Sequence, residues 1–362
     1  MDKSMITHFD NRKWATLTEN YEAWWADTLD RPLLHITIHG ADPKVDKPKG
    51  DFHYSLSQYG LDVPIETVIK HCEYELCSTL FLGDAYPTIL PDFGAGVNAA
   101  FAGARVIARP ETVWFTAEDA IPLESRHLIH QPESLLYRRI SEFYEKADAY
   151  FNGDVVLGMT HLNNGIDIPA HFFDSVEFCS ALYDKPKEID RLIWESHELF
   201  VYYVKDLSAK MKHNRGYTCW GDILASEPWM CTQSDFSVMV SPEHFKQFLL
   251  PELAACYRAF PKYNFYHIDG KEQFVHLDSL LELPELQVLQ WSPGVDKRPD
   301  SEWIPLFKKI REAGKKIWYP GGEDGMELLA QALGSLKGIY WRKGYSLQDE
   351  ETAHRVLERF SH

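Results

Sequence analysis

Two periods of apolar residues run along this chain. Trp14, Leu17, Tyr21, Trp24 and Trp25 follow one another at steps of three, four, three and one. That spacing predicts an amphipathic helix, ended by the breaker Asp30-Arg31-Pro32. The run Leu33-Leu34-His35-Ile36-Thr37-Ile38, closed by His39-Gly40, predicts a buried strand. Comparable runs recur at 76–82, 155–159, 217–220, 263–266, 287–290, 316–318 and 338–341. Helical patterns lie between them, at 186–211, at 303–313 and at 326–336. Another opens at Ser241-Pro242-Glu243, with serine at the N-cap and proline in the first turn. Strand alternating with helix predicts an α/β fold built on a parallel sheet covered by helices. About eight strands in a chain of this length favour a closed (β/α)8 barrel of the TIM type over an open sheet. The expected organisation is one barrel domain over 1–362, with an N-terminal helical extension over 1–30 and an insertion near 40–75. No GxGxxG turn follows the first strand and no GxxxxGK[ST] loop occurs, so no nucleotide cofactor is expected.

Composition narrows the partners. The 362 residues include 37 Lys+Arg against 54 Asp+Glu, a formal charge of −17 that repels phosphate backbones and anionic membranes. Nucleic acid and membrane are therefore excluded as expected partners, and a small molecule is favoured. Aromatic residues make up 14%, with 11 Trp, which supplies a large core and ring-lined surfaces. Six cysteines, none in a CxxC pair, read as buried small hydrophobes in a reducing compartment. With no apolar leader pattern at the start and no membrane-length apolar run, the expected location is the cytoplasm.

In a barrel the chemistry gathers where strands run into their following loops, so the strand ends supply the candidates. Asp84, Asp222, His267 and Asp269 are the candidate acids and bases. Tyr86, His161, Asn164, Trp220, Glu227, Trp229, Trp291, Glu323, Trp341 and Arg342 are candidate substrate contacts. An aspartate before a turn is commonly just an Asx-turn or N-cap residue, and a lone histidine is commonly structural. Acids after four inferred strands and tryptophans at the ends of four are the stronger signal. His267 and Asp269 stand two apart on an extended segment and so share a face, where they would share a proton or hold a divalent metal. No third ligand for such a metal is evident.

Several segments together resemble the uroporphyrinogen decarboxylase superfamily, which includes cobamide-dependent methyltransferases. They are Ser241-Pro242-Glu243-His244-Phe245 running into Leu250-Pro251-Glu252, Tyr266-His267-Ile268-Asp269-Gly270, and Leu289-Gln290-Trp291-Ser292-Pro293-Gly294. Asp30-Arg31-Pro32-Leu33 is similar to that family's approach to its first strand, and 158–168 to its strand with a polar loop. The likeness extends from Asp30 onward; it is strongest over 217–294 and weak over 40–75. It implies the (β/α)8 barrel, one-carbon transfer or decarboxylation, and a cobamide-carrying protein as a partner. The departures are specific. The arginine-rich loop of the decarboxylases is missing, and Asp84 in Leu82-Gly83-Asp84 matches their essential aspartate loosely. Where the zinc-dependent methyltransferases have His-x-Cys and a later cysteine, this chain has His267-x-Asp269 and Trp341-Arg342-Lys343.

Two enzymatic readings follow. The first is a divergent member of that superfamily, acting on a small polar substrate by methyl transfer or decarboxylase-like acid/base chemistry, with Arg342 anchoring an anionic group. The second is a glycoside hydrolase or lyase, with sugar stacked on tryptophan and two strand-end carboxylates, Asp222 and Asp269, at the roughly 5–5.5 or 6.5–9.5 Å that such chemistry requires. A non-catalytic binding protein is a third. A homo-oligomer is compatible with all three.

Overall fold

The computed structural model describes residues 9–361 apart from 54, 110–112, 295 and 297, so the first eight residues of the expected extension lie outside the described residues. Eleven strands are described: β1 (Leu33–His39), β2 (Thr79–Gly83), β3 (Thr88–Ile89), β4 (Arg105–Ala108), β5 (Val113–Thr116), β6 (Val156–Leu157), β7 (Cys231–Thr232), β8 (Phe265–Asp269), β9 (Val288–Ser292), β10 (Lys316–Tyr319) and β11 (Ile339–Ser346). Seven form one sheet in the order β2-β1-β11-β10-β9-β8-β7, while β3 pairs with β6 and β4 with β5. All pairs in the large sheet are parallel except β1 with β2. The fold is thus α/β with a mainly parallel sheet. The expected closed ring of eight strands is not what the ladders form: among the described residues the large sheet ends at β2 and β7.

Two of the expected strands explain the difference. The 76–82 run divides into the end of the helix Ile65–Cys77 and β2. Because β2 lies antiparallel to β1, its last residue, Gly83, pairs with His35 near the start of β1. A period-two pattern gives the faces of a strand but not its direction. The 217–220 run forms no ladder. Tyr217 makes a single antiparallel bridge with Ala225, and the chain reverses between them at Asp222, which has φ +53°.

Alternation sorts the sheet into two faces. In β1, Leu34, Ile36 and Ile38 are buried, while His35, Thr37 and His39 share the other face. In β11, Trp341 packs edge-on against Phe360 of the C-terminal helix Glu350–Phe360. Its neighbours Tyr340 and Arg342 point the opposite way, toward Asp222. Backbone bonds link the small sheet to its surroundings: Val156 N–H donates to Pro87 O (3.0 Å), Gly158 N–H to Ile89 O (2.8 Å) and Met159 N–H to Thr218 O (2.7 Å).

The helix Asn11–Trp25 starts where the Asp10 carboxylate accepts the Lys13 N–H (2.8 Å), and it buries the five apolar residues that predicted it. Its indoles close the end of the sheet where the parallel strands begin. Trp24 Nε1 donates to Ile339 O (3.2 Å) and Trp25 Nε1 to Leu224 O (3.0 Å). Ser241 Oγ accepts the His244 N–H, as its N-cap position predicts, and a π-helical turn, Phe245–Leu249, leads into the helix Leu250–Ala259. No helix among the described residues is long and apolar enough to cross a membrane.

Candidate active site

The ends of β1 and β11 and the Asp222 turn border a cavity of about 390 Å³. Its polar side includes His35, Thr37, Asp222 and Arg342; Leu56, Leu76, Phe81 and Ile89 form part of an apolar side. Asp222 is 5% exposed and forms an ion pair with the Arg342 guanidinium. Its backbone carbonyl accepts hydroxyls from Tyr86 (3.1 Å) and Tyr340 (2.8 Å), which hold the left-handed turn in place. Burial raises the Asp222 carboxyl above the usual range, and Arg342 opposes that shift. His35, 3% exposed, sits between the rings of Tyr86 (5.3 Å) and Tyr340 (6.2 Å). Burial, with Arg342 adding to it, holds its imidazole well below the usual pKa, so the ring is neutral. Among the described residues, His35 Nδ1 has no hydrogen-bond partner. His35 lines the cavity, and its enclosed Nδ1 is an orphaned polar atom in the cavity wall.

A second group is organised by rings. Trp220 stacks on His161 (5.1 Å between centroids, 29°) and meets His267 edge-on (5.0 Å, 85°). His267 Nδ1 lies 2.8 Å from Gln290 Oε1, its register partner on β9. An amide oxygen only accepts, so Nδ1 carries the proton and Nε2 is left with a lone pair. Burial lowers His267 to a pKa of about 4; His161 adds to the shift and Asp269 opposes it. Gln233 bonds His161 Nε2 (3.0 Å) through its Oε1 and Asp235 Oδ2 (3.0 Å) through its Nε2. Asp235 is pushed up to about 6, first by enclosure in protein and then by the charge of Asp269. The neighbouring Asp167 is buried, its carboxyl raised well above the usual range, and it accepts the backbone N–H groups of Asp235 and Phe236 (both 2.9 Å). Neutral imidazoles beside carboxyls that ionise late make an environment suited to moving protons near neutral pH.

The structure does not bring all the sequence candidates to one rim. Asp84 stands at the opposite end of the sheet, because it follows the antiparallel β2. There Arg31 grips it with two nitrogens (2.7 and 2.9 Å), and Asn20 Nδ2 (3.0 Å) and the Leu34 N–H (3.0 Å) complete its bonds. Every acceptor site of that carboxylate is occupied. Trp229, Trp291 and Trp341 are buried and offer no stacking wall: Trp229 meets Trp25 and Phe265, Trp291 meets Phe274 and Trp303, and Trp341 donates to Gly321 O. Exposed Glu227 lies 3.6 Å from Lys262, beside Glu22 of the N-terminal helix. Glu323 accepts the Tyr345 hydroxyl (2.8 Å), and Asn164 gives its amide N–H to Glu252 (2.9 Å). His35, Gln233, Asp235 and Gln290 were not singled out from the sequence. His35 was visible there as the first member of the polar stripe His35, Thr37, His39; the glutamines carry no such pattern.

The zinc-thiolate centre implied by the family resemblance does not fit this mouth. Asp269 stands where the first thiolate would, and among the described residues no three-ligand cluster includes His267 or Asp269. No family model matches the chain. No curated protein matches it in sequence. A solved structure does share its fold: a methyltransferase from Methanosarcina mazei, at a TM-score of 0.60 and 13% identity, covering 96% of this chain and 99% of that one. At that identity the likeness shows the architecture over the full length and says nothing of the reaction.

Proposed function

We propose that the chain is an enzyme of the methyl-transfer type, binding a small substrate with an anionic head in the cavity at β1 and β11. The fold that supports it is the α/β architecture with a mainly parallel seven-stranded sheet. The observation that carries this reading is the cavity's polar side: Arg342 beside Asp222, with the unpartnered His35 Nδ1 next to them. A guanidinium suits a carboxylate, and the apolar side suits a methyl group. An arriving anion would compete with Asp222 for Arg342. Asp222, whose burial already favours its protonated form, would then take up a proton and hand the guanidinium to the substrate. His35, in the cavity wall, would sit beside the head. The family resemblance is what points to this class of reaction, the Methanosarcina structure adding a shared fold, and a cobamide-carrying protein as methyl acceptor belongs to the same reading. A zinc-bound thiolate has no part in it. A sugar-cleaving site lacks its stacking wall, because three of the four candidate tryptophans, Trp229, Trp291 and Trp341, lie in the core.

Calorimetric titration with small methylated carboxylic acids tests the site. Binding accompanied by proton uptake, weakened at least about tenfold in Arg342→Gln, is the expected result for a charge-assisted contact. Binding that is indifferent to Arg342, or confined to uncharged sugars, would refute it.

A further inference from the structure

Outside the mouth, in the helical layer, three different ligand-bearing side chains meet. His197 of the helix Pro186–Ser208 faces Glu252 and Cys256 of the helix Leu250–Ala259. Glu252 Oε1 lies 3.2 Å from His197 Nδ1 and 3.0 Å from Cys256 Sγ; the sulfur and the nitrogen are 3.4 Å apart. Zinc bonds of about 2.0–2.3 Å in a tetrahedron place ligand atoms about 3.3–3.7 Å apart, so small side-chain adjustments would bring all three donors to coordination distance. Glu252 and Cys256 are buried, while the His197 side chain is 14% exposed and gives a way in. The other oxygen of Glu252 is fixed by Asn164 Nδ2 (2.9 Å), the kind of outer hydrogen bond that orients a metal-binding carboxylate. Asn164 Oδ1 in turn accepts the Gln233 N–H (3.2 Å), and Gln233 holds His161.

We propose that His197, Glu252 and Cys256 bind one thiophilic divalent cation of the zinc type, clasping the two helices behind the mouth. A soft sulfur, an imidazole and one carboxylate oxygen match zinc or cobalt rather than calcium or magnesium, and three protein ligands leave the fourth position for water. Without metal, the thiol proton of Cys256 and the Nδ1 proton of His197 both point at Glu252. On binding, the thiol proton passes to solvent, and the imidazole presents its Nδ1 lone pair with its proton on Nε2. The Asn164–Gln233–His161 chain connects the clasp to the rings of the mouth, so occupancy would also steady that side of the site.

Cobalt(II) titrated into chelator-treated full-length protein provides the readout, independently of any activity. The expected result is one equivalent bound with a thiolate-to-cobalt charge-transfer band, kept in Cys231→Ser and lost in Cys256→Ser. The Cys231→Ser control matters because Cys219 and Cys231 bring two thiols within 2.7 Å of each other, a second place where cobalt could meet sulfur. His197→Gln changes a residue at the edge of the core, so it remains informative if Cys256→Ser fails to fold; it should weaken cobalt binding at least about tenfold. Absence of the band, or a band unchanged in His197→Gln, overturns the proposal.

Discussion

Single residues in the mouth have consequences that oppose one another with pH. His267 keeps a folded-state pKa of about 4, below the usual 6.5. Its neutral form therefore supports the fold above pH 6.5, and that support is lost as pH falls toward 4, a change of up to about 3 kcal/mol. Asp235 runs the other way. With its carboxyl raised from 3.8 to about 6, stability falls as pH rises between those values. Urea unfolding at a series of pH values should show His267→Gln losing the acid-side drop. Asp235→Asn should gain stability at pH 7 and match the parent near pH 4. Arg342→Gln leaves the buried Asp222 carboxylate unpaired and should lower the melting temperature, with Asp222→Asn restoring part of the loss in the double variant. The same parity that pairs His267 with Gln290 turns Trp291 and Trp341 away from the mouth. Trp341 and Arg342 stood together among the substrate contacts expected from the sequence, but adjacent residues of one strand cannot face the same way, and the structure keeps only Arg342 at the mouth. The partners of Gln233 and Asp235 were not legible, because they come from the 161–167 segment brought beside them only by folding.

At the level of elements, apolar periodicity located the first helix, β1 and the strands from β8 to β11 close to where they stand. It failed at β2, whose direction depends on what it pairs with rather than on its own residues, and at 217–220, where a reversal at Asp222 replaces a ladder. Asp84 shows the functional cost of that ambiguity: reading β2 in the wrong direction put a structural carboxylate into the mouth. Its bonds tie the N-terminal helix, Arg31 and β1 together. Asp84→Ala should therefore cost about 3 kcal/mol in denaturant unfolding. The affinity of the folded protein for a small carboxylate, measured by calorimetry, should stay unchanged. A loss of affinity without loss of stability would return Asp84 to the site. Trp291→Phe should behave similarly, at about 1–3 kcal/mol, because its buried ring packs against Phe274 and Trp303.

For the whole molecule, the two ends of the sheet carry different duties. The N-terminal helix, Arg31 and Asp84 close one end. The opposite end holds the cavity, the ring cluster and the carboxyls whose ionisation is delayed. The net charge of −17 makes Arg342 consequential. An anionic substrate approaches an acidic protein against its overall field, so local cationic recognition must supply the attraction. The most direct measurement is ¹³C NMR of the purified protein with methyl-labelled small carboxylic acids and a reduced cobamide supplied as acceptor. The account predicts that the label leaves at least one donor and appears on the acceptor, and that Arg342→Gln abolishes the transfer while remaining folded. Label retained by every donor, with none of them perturbing the His35 ring, would contradict it.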